Sequence, residues 1–195
     1  MLTADRPDPP PHLAHWPRRL PRELIVPETT LWFNLEVSAA RYPDKPAFLF
    51  FGQALSYRLL KERAQALAGW LEAQGVQRGD RVAIFLQNCP QFIIAFYAVM
   101  RLGAVVVPVN PMNRAEELKH YITDPDARVA ITTADLAGEI AAASNALPAG
   151  QRLAHLIVSH YTDAFDADVQ GDDAPPAPWR DWLLTRHALP TLDGG

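Results

Sequence analysis

Arg101-Leu102-Gly103-Ala104-Val105-Val106-Val107-Pro108-Val109-Asn110-Pro111 carries the instructions for one structural repeat. An apolar helix runs into Gly103, a residue that takes the left-handed conformation ending many helices. Val105 to Val107 are stiff at χ1 and suit a buried strand. Pro108 and Pro111 lack the N–H that a ladder needs, so strand pairing is expected to stop there. Helix, glycine turn, strand and proline stop form a scaffold, and by themselves they name no chemistry.

The same alternation continues on both sides. Upstream, Asn88-Cys89-Pro90 reads as a helix cap with Pro90 in the first turn. The helix it opens is apolar nearly all round, at Phe92, Ile93, Ile94, Phe96, Tyr97 and Val99, which predicts burial. Gly79-Asp80 turns into a strand over 81–86 whose continuous apolar run suits a sheet covered on both faces. Tyr57 to Gln74 is the clearest amphipathic helix. Leu60, Ala64, Leu67, Ala68 and Leu71 form one stripe, Lys61, Glu62, Gln65 and Glu72 lie off it, and Gly75 supplies the cap. Before it come a helix over 31–41 capped by Thr30 and two strands, 47–51 and 54–56, turned at Gly52-Gln53. Downstream, helices over 114–123 and 135–146 alternate with strands over 128–132 and 153–159. Alternation from residue 81 onward predicts an α/β fold with a mostly parallel sheet flanked by helices.

The two ends differ from this middle. Residues 1–28 form a proline-rich arm in which Trp16, Leu20, Leu24, Ile25 and Val26 can dock on a surface or on a second copy. Residues 29–160 form the α/β subdomain. Residues 161–195 shift to Asp, Ala, Gly and Pro. Asp163, Asp166, Asp168, Asp172 and Asp173 stand there without aromatic support, which predicts a solvated loop. Their spacing lacks the closing Glu of a calcium loop. A short helix is expected over 179–186.

Composition narrows the class. The chain has 195 residues, 49% of them hydrophobic, enough for one domain with a core plus tails. Net charge is −4 and pI about 5.8, and the basic clusters (Arg18, Arg19 and Arg22; Lys61 with Arg63) are small. That argues against a nucleic-acid partner. Cys89 is the single cysteine, so no internal disulfide can form, in keeping with a reducing compartment. Met1 to Pro11 lacks an apolar signal region. The apolar stretch 92–100 falls short of the roughly 20 residues a bilayer needs. A cytoplasmic protein is expected, with peripheral contact at the inner membrane surface left open.

Chemical motifs are few in this sequence. Neither a dinucleotide fingerprint nor a P-loop is present. His12-x-x-His15 has no third ligand beside it, so no metal site is expected. Cys89 sits at a helix start, where a dipole lowers thiol pKa. No base accompanies it, and it reads as a small hydrophobe next to Pro90. Ser56 and Tyr57 suit a helix cap rather than a catalytic pair. No catalytic residue is assigned.

Five segments in order do resemble a family. They are Arg41-Tyr42-Pro43-Asp44-Lys45-Pro46-Ala47, Leu55-Ser56-Tyr57-Arg58-Leu59-Leu60, Val76-Gln77-Arg78-Gly79-Asp80-Arg81-Val82-Ala83-Ile84, Asn88-Cys89-Pro90-Gln91-Phe92, and Gly103 to Pro111. Together they are similar to the opening of the adenylate-forming (AMP-forming) acyl-CoA ligases. Peptide-synthetase domains of that superfamily usually read Pro-x-Asp-Pro where this chain reads Pro108-Val109-Asn110-Pro111, which looks like the acyl-CoA ligase branch. The arm and the Asp-rich segment before Trp179 resemble the long-chain fatty acid enzymes.

The resemblance implies a two-step reaction. A carboxylate attacks the α-phosphate of ATP to give acyl-AMP and pyrophosphate, and the CoA thiol then displaces AMP. ATP, Mg2+ and CoA are the implied cofactors, and a long-chain fatty acid the implied substrate. The family's phosphate loop, ribose-binding Asp and mobile-domain Lys match nothing here. The chain is therefore expected to be an incomplete amino-terminal subdomain, inactive alone, binding no cofactor tightly, whose partners are the remainder of its own chain and, through the arm, a second copy. Some relatives carry an Arg directly after Asn-Pro that approaches a CoA phosphate. Met112 stands there in this chain, and Arg114 is the candidate substitute. Rival expectations are an aryl- or medium-chain-CoA ligase, a fatty acyl-AMP ligase, and a non-catalytic binding or assembly module of the same fold.

Overall fold

A computed structural model describes residues 10–164 and 174–193. Its centre is the strand β3 (Arg81–Phe85). To one side lies β4 (Val105–Val109); to the other lie β5 (Val129–Thr133) and then β6 (His155–Ser159). The order is β4-β3-β5-β6 and every neighbouring pair is parallel. Helices α3 (Pro90–Arg101), α4 (Ala115–Thr123) and α5 (Ala137–Asn145) make the crossovers that parallel pairing requires.

Period-2 alternation sorts the strand side chains into two layers. Val82, Ile84, Val129 and Ile131 pack with Ala95, Ala98 and Val99 of α3, and with Ala68 and Leu71 of α2 (Tyr57–Ala73). Ala83, Phe85 and Ala130 face the other way, onto Leu118 and Ile122 of α4 and Ile140 and Ala143 of α5. Val82 through Phe85 are each 0% exposed. The sheet is covered on both faces, as the apolar run implies, and the fold is α/β with a mostly parallel sheet flanked by helices.

A smaller layer sits outside α2 and α3. Helix α1 (Leu31–Arg41) starts at Thr30, whose Oγ1 accepts from the Phe33 amide at 3.1 Å. It buries Trp32 and Leu35 against Leu60, Ala64 and Ile94. The hairpin β1 (Pro46–Phe50) and β2 (Gln53–Ser56) leads into α2, where Ser56 Oγ accepts from the Leu59 amide at 3.3 Å. Ser56 is thus a cap. Among the described residues, no helix is long and apolar enough to cross a membrane.

Several expectations need correction. Strand β4 is only part-buried: it is an edge strand among the described residues, and Val105 is 44% exposed while Val109 is 4% exposed. That position also explains why Pro108 does not end the strand. It stands in register with Ile84, because an edge strand has one side free of pairing. The hairpin turns at Phe51-Gly52, one residue earlier than expected, with φ of 43° and 79°. A two-residue turn of this hand needs positive φ at both positions. Phe51 is held there by edge-to-face contact with Phe50 at 4.7 Å and by Trp179 at 6.1 Å. Helix α3 is only half-buried at Phe92, Ile93, Phe96 and Tyr97. Tyr161, expected in a solvated loop, is 4% exposed and opens a 3-10 turn. The final helix, α6, spans Ala177–Leu184. Most of the Asp-rich segment, 165–173, lies outside the described residues. In the arm, Leu24, Ile25 and Val26 are 86%, 92% and 68% exposed, and the Trp16 indole donates to Leu20 and Pro21 carbonyls of the arm itself.

Because Leu118 is fully buried under the sheet, Leu118→Ala is expected to cost about 3 kcal/mol, from lost burial plus a cavity. Met112→Ala, at an 80% exposed position, should stay within about 0.5 kcal/mol. Urea denaturation of both variants reads the difference directly.

Candidate functional site

In a sheet of this order the chain leaves β3 toward β4 and returns on the other side to β5. A crevice is expected outside the carboxyl ends of β3 and β5, where such folds bind ligands. The segments reaching it are Leu86 to Cys89 after β3, Ala134-Asp135 after β5, and His160-Tyr161 after β6.

Side chains from these segments pack against α6. Cys89, Tyr161 and Leu183 of α6 form a buried cluster, with Phe92 and Trp182 packed against it. The Tyr161 ring lies 4.4 Å from Trp182. Its hydroxyl donates to Asp135 Oδ2 at 3.2 Å and accepts from Thr133 Oγ1 at 3.4 Å. Gln91, at the start of α3, donates from Nε2 to the carbonyls of His160 and Tyr161 at 2.8 and 3.1 Å. Helix α3, strand β5 and the turn after β6 are thereby tied together at one point. Gln91 Oε1 and Asp135 Oδ1 are buried without a protein partner.

The electrostatics make this cluster unreactive. Burial pushes the Cys89 thiol from 9.0 up to about 11, against the smaller opposing pull of the Phe92 and Gln91 amides. Burial also raises the Tyr161 phenol, with the Asp135 carboxylate adding to the rise. Both groups stay protonated at neutral pH, so neither serves as nucleophile or base. Cys89 is the small buried hydrophobe its place beside Pro90 suggests.

Arg114 stands at the N-cap of α4, far from this cluster in sequence. Its Nη1 donates to Glu139 Oε1 at 3.0 Å, and Glu139 Oε2 accepts from the Ala115 amide at 3.0 Å. The guanidinium therefore pins α4 to the start of α5 while remaining 78% exposed. The preceding turn is fixed by Asn110, whose Oδ1 accepts from the Met112 amide at 3.0 Å. Among the described residues no three His, Cys, Asp or Glu side chains gather as metal ligands. The described residues therefore supply no carboxylate cluster to hold Mg2+ beside a nucleotide. Sequence reasoning missed the Gln91, Thr133, Asp135 and Tyr161 network, whose members lie up to 70 residues apart with no local signal.

The doubly wound layer with its β4-β3-β5-β6 order matches the N-terminal domain of adenylate-forming ligases. The chain belongs to the AMP-binding enzyme family, whose model matches residues 35–191. It is 43% identical over 122 residues to a long-chain-fatty-acid–CoA ligase of Bacillus subtilis (strain 168), covering 63% of this chain and 22% of that one. It is 38% identical over 128 residues to the same-named ligase of Yersinia pestis, covering 64% and 23%. A solved fatty acyl CoA synthetase of Mycobacterium tuberculosis superposes with a TM-score of 0.62 at 26% identity, covering 69% of this chain and 27% of that one. The chain spans about a fifth of the length of the curated relatives it matches.

The Cys89 environment sets a pH dependence. A folded value above the unfolded one means the fold favours the protonated thiol. The contribution is fully present below about pH 9 and is lost as pH rises through about 11. It amounts to on the order of 2–3 kcal/mol. Wild type is expected to lose that much more stability than Cys89→Ala between pH 8.5 and 11, measured by urea unfolding. Parallel curves for the two proteins would refute it.

Proposed function

We propose that this chain is the amino-terminal α/β subdomain of an AMP-forming acid–thiol ligase that activates a long-chain fatty acid with ATP and transfers it to CoA. The observation that carries the reading is the family match over 35–191 together with 43% identity to the Bacillus ligase. The Pro108-Val109-Asn110-Pro111 ending favours the acyl-CoA branch over amino-acid activation. In this reading 1–28 is an arm, 29–160 the subdomain, and 161–195 the approach to the phosphate loop of the parent enzyme. Cytoplasmic location goes with the same reading, since its three substrates are met there.

The domain's part in such an enzyme is structural. Its sheet and the Gln91–Tyr161 tie hold one wall rigid, and at the switch point the Tyr161 hydroxyl donates to Asp135 Oδ2 while burial keeps the Cys89 thiol and the Tyr161 phenol protonated. In this reading the 195-residue chain is inactive by itself. Arg114 is the one residue assigned to a cofactor. With Glu139 holding Nη1, its other donors face solvent and are free for a CoA phosphate.

Acyl-hydroxamate formation from palmitate, ATP and hydroxylamine, which traps acyl-AMP with release of AMP, tests the reading. A protein extended to the full length of the relatives should form it and, with CoA, make palmitoyl-CoA. The 195-residue chain should form none. Activity only on aryl or short acids would replace the substrate class. In the extended protein, Arg114→Ala should raise KM for CoA about 5–10-fold with kcat unchanged, a loss of about 1 kcal/mol of binding. An unaltered KM would remove Arg114 from the site.

A further inference from the structure

A cleft of about 310 Å3 lies between the hairpin, α2, the start of α3 and the turn after β6. That is within the range of small-ligand sites. One side is apolar: Phe50, Leu55, Leu59 and Pro90. Arg63, Thr162 and Asp163 belong to its polar lining. Arg63 is half-buried and, among the described residues, makes no hydrogen bond and no ion pair. A guanidinium brings five donors in a fixed fork, and with no protein acceptor among the described residues that fork is available to a bidentate anion. Asp163, also in the cleft, does not meet it; its Oδ2 accepts from the His160 amide at 2.7 Å.

We propose that this cleft binds the carboxylate of an aliphatic acid, with Arg63 taking the head group and the apolar side covering the first carbons. Planar carboxylate oxygens match the guanidinium fork. A single negative charge suits the site better than a phosphate dianion, because Asp163 repels each added charge. The choice of an aliphatic acid rests on the proposed function. Binding here is separate from the reaction: the cleft holds no group placed to activate the acid.

Amide chemical-shift titration of the 195-residue chain with octanoate, and separately with octanamide, tests it. Octanoate should give saturable shifts centred on Leu55, Leu59 and Thr162, and octanamide should not. Arg63→Gln should weaken octanoate binding at least about tenfold, with the melting temperature held. Arg63→Lys, which keeps the charge without the fork, should bind at an intermediate level and serves as the probe if Arg63→Gln unfolds. Absence of saturation, an equal response to octanamide, or wild-type affinity in the Arg63 variants would overturn the proposal. No ATP or CoA enters the titration. Its failure would leave acyl-hydroxamate formation by the extended protein untouched, and failure of that reaction would leave the titration standing.

Discussion

Val82, Ala83, Ile84 and Phe85 point by turns into two apolar layers, and nearly every other element is placed by what those layers need. Two faces must be covered at once, so helices are required on both. Parallel pairing then demands long connections, which supply those helices. The outer layer of α1 and the hairpin packs on α2 and α3 instead of on the sheet. Losing the period-2 alternation of β3 would therefore disturb three layers, whereas changes at β4, with one free edge, are confined to one side.

The same constraint explains the polar ties. Strand ends leave backbone groups that a covered sheet cannot offer to water. Thr132 Oγ1 answers by donating to the Phe85 carbonyl at 2.8 Å, and Gln91 reaches two carbonyls beyond β6. At the opposite end, Arg81 joins the start of β3 to the turn before β5 through the Pro125 carbonyl and, at 3.0 Å, Asp126. Each tie links segments more than 40 residues apart, so the sheet order is held by side chains as well as by the ladder.

Local physics made much of this legible. Gly103 does adopt positive φ, 67°, and a Cβ there would come within 3.2 Å of the Arg78 side chain, so glycine serves both turn and packing. Thr30 and Ser56 cap where their spacing to the following helices says they should. What stayed hidden depends on partners distant in sequence. Three valines in a row read as buried until strand order shows β4 at an edge. Phe51 in a left-handed turn runs against its own preference and depends on Trp179 from α6. Tyr161 looks like the first residue of an acidic loop, and only the fold sets Thr133, Asp135 and Trp182 around it.

The packing beside the switch point bears on where chemistry can arise. Folds of this kind usually leave the crevice between oppositely directed crossovers open to a ligand. Here Cys89, Tyr161 and Leu183 pack together beside it, and two of them are held protonated by burial. A buried neutral cluster stabilises a wall and supplies no charge to a developing transition state. Two guanidiniums lie away from this cluster: Arg114 at the exposed start of α4, and Arg63 in the cleft beside the hairpin. Both are guanidiniums, which stay charged whatever their surroundings. The domain thus presents fixed positive charge on a rigid support, suited to holding anionic groups still and not to transferring protons.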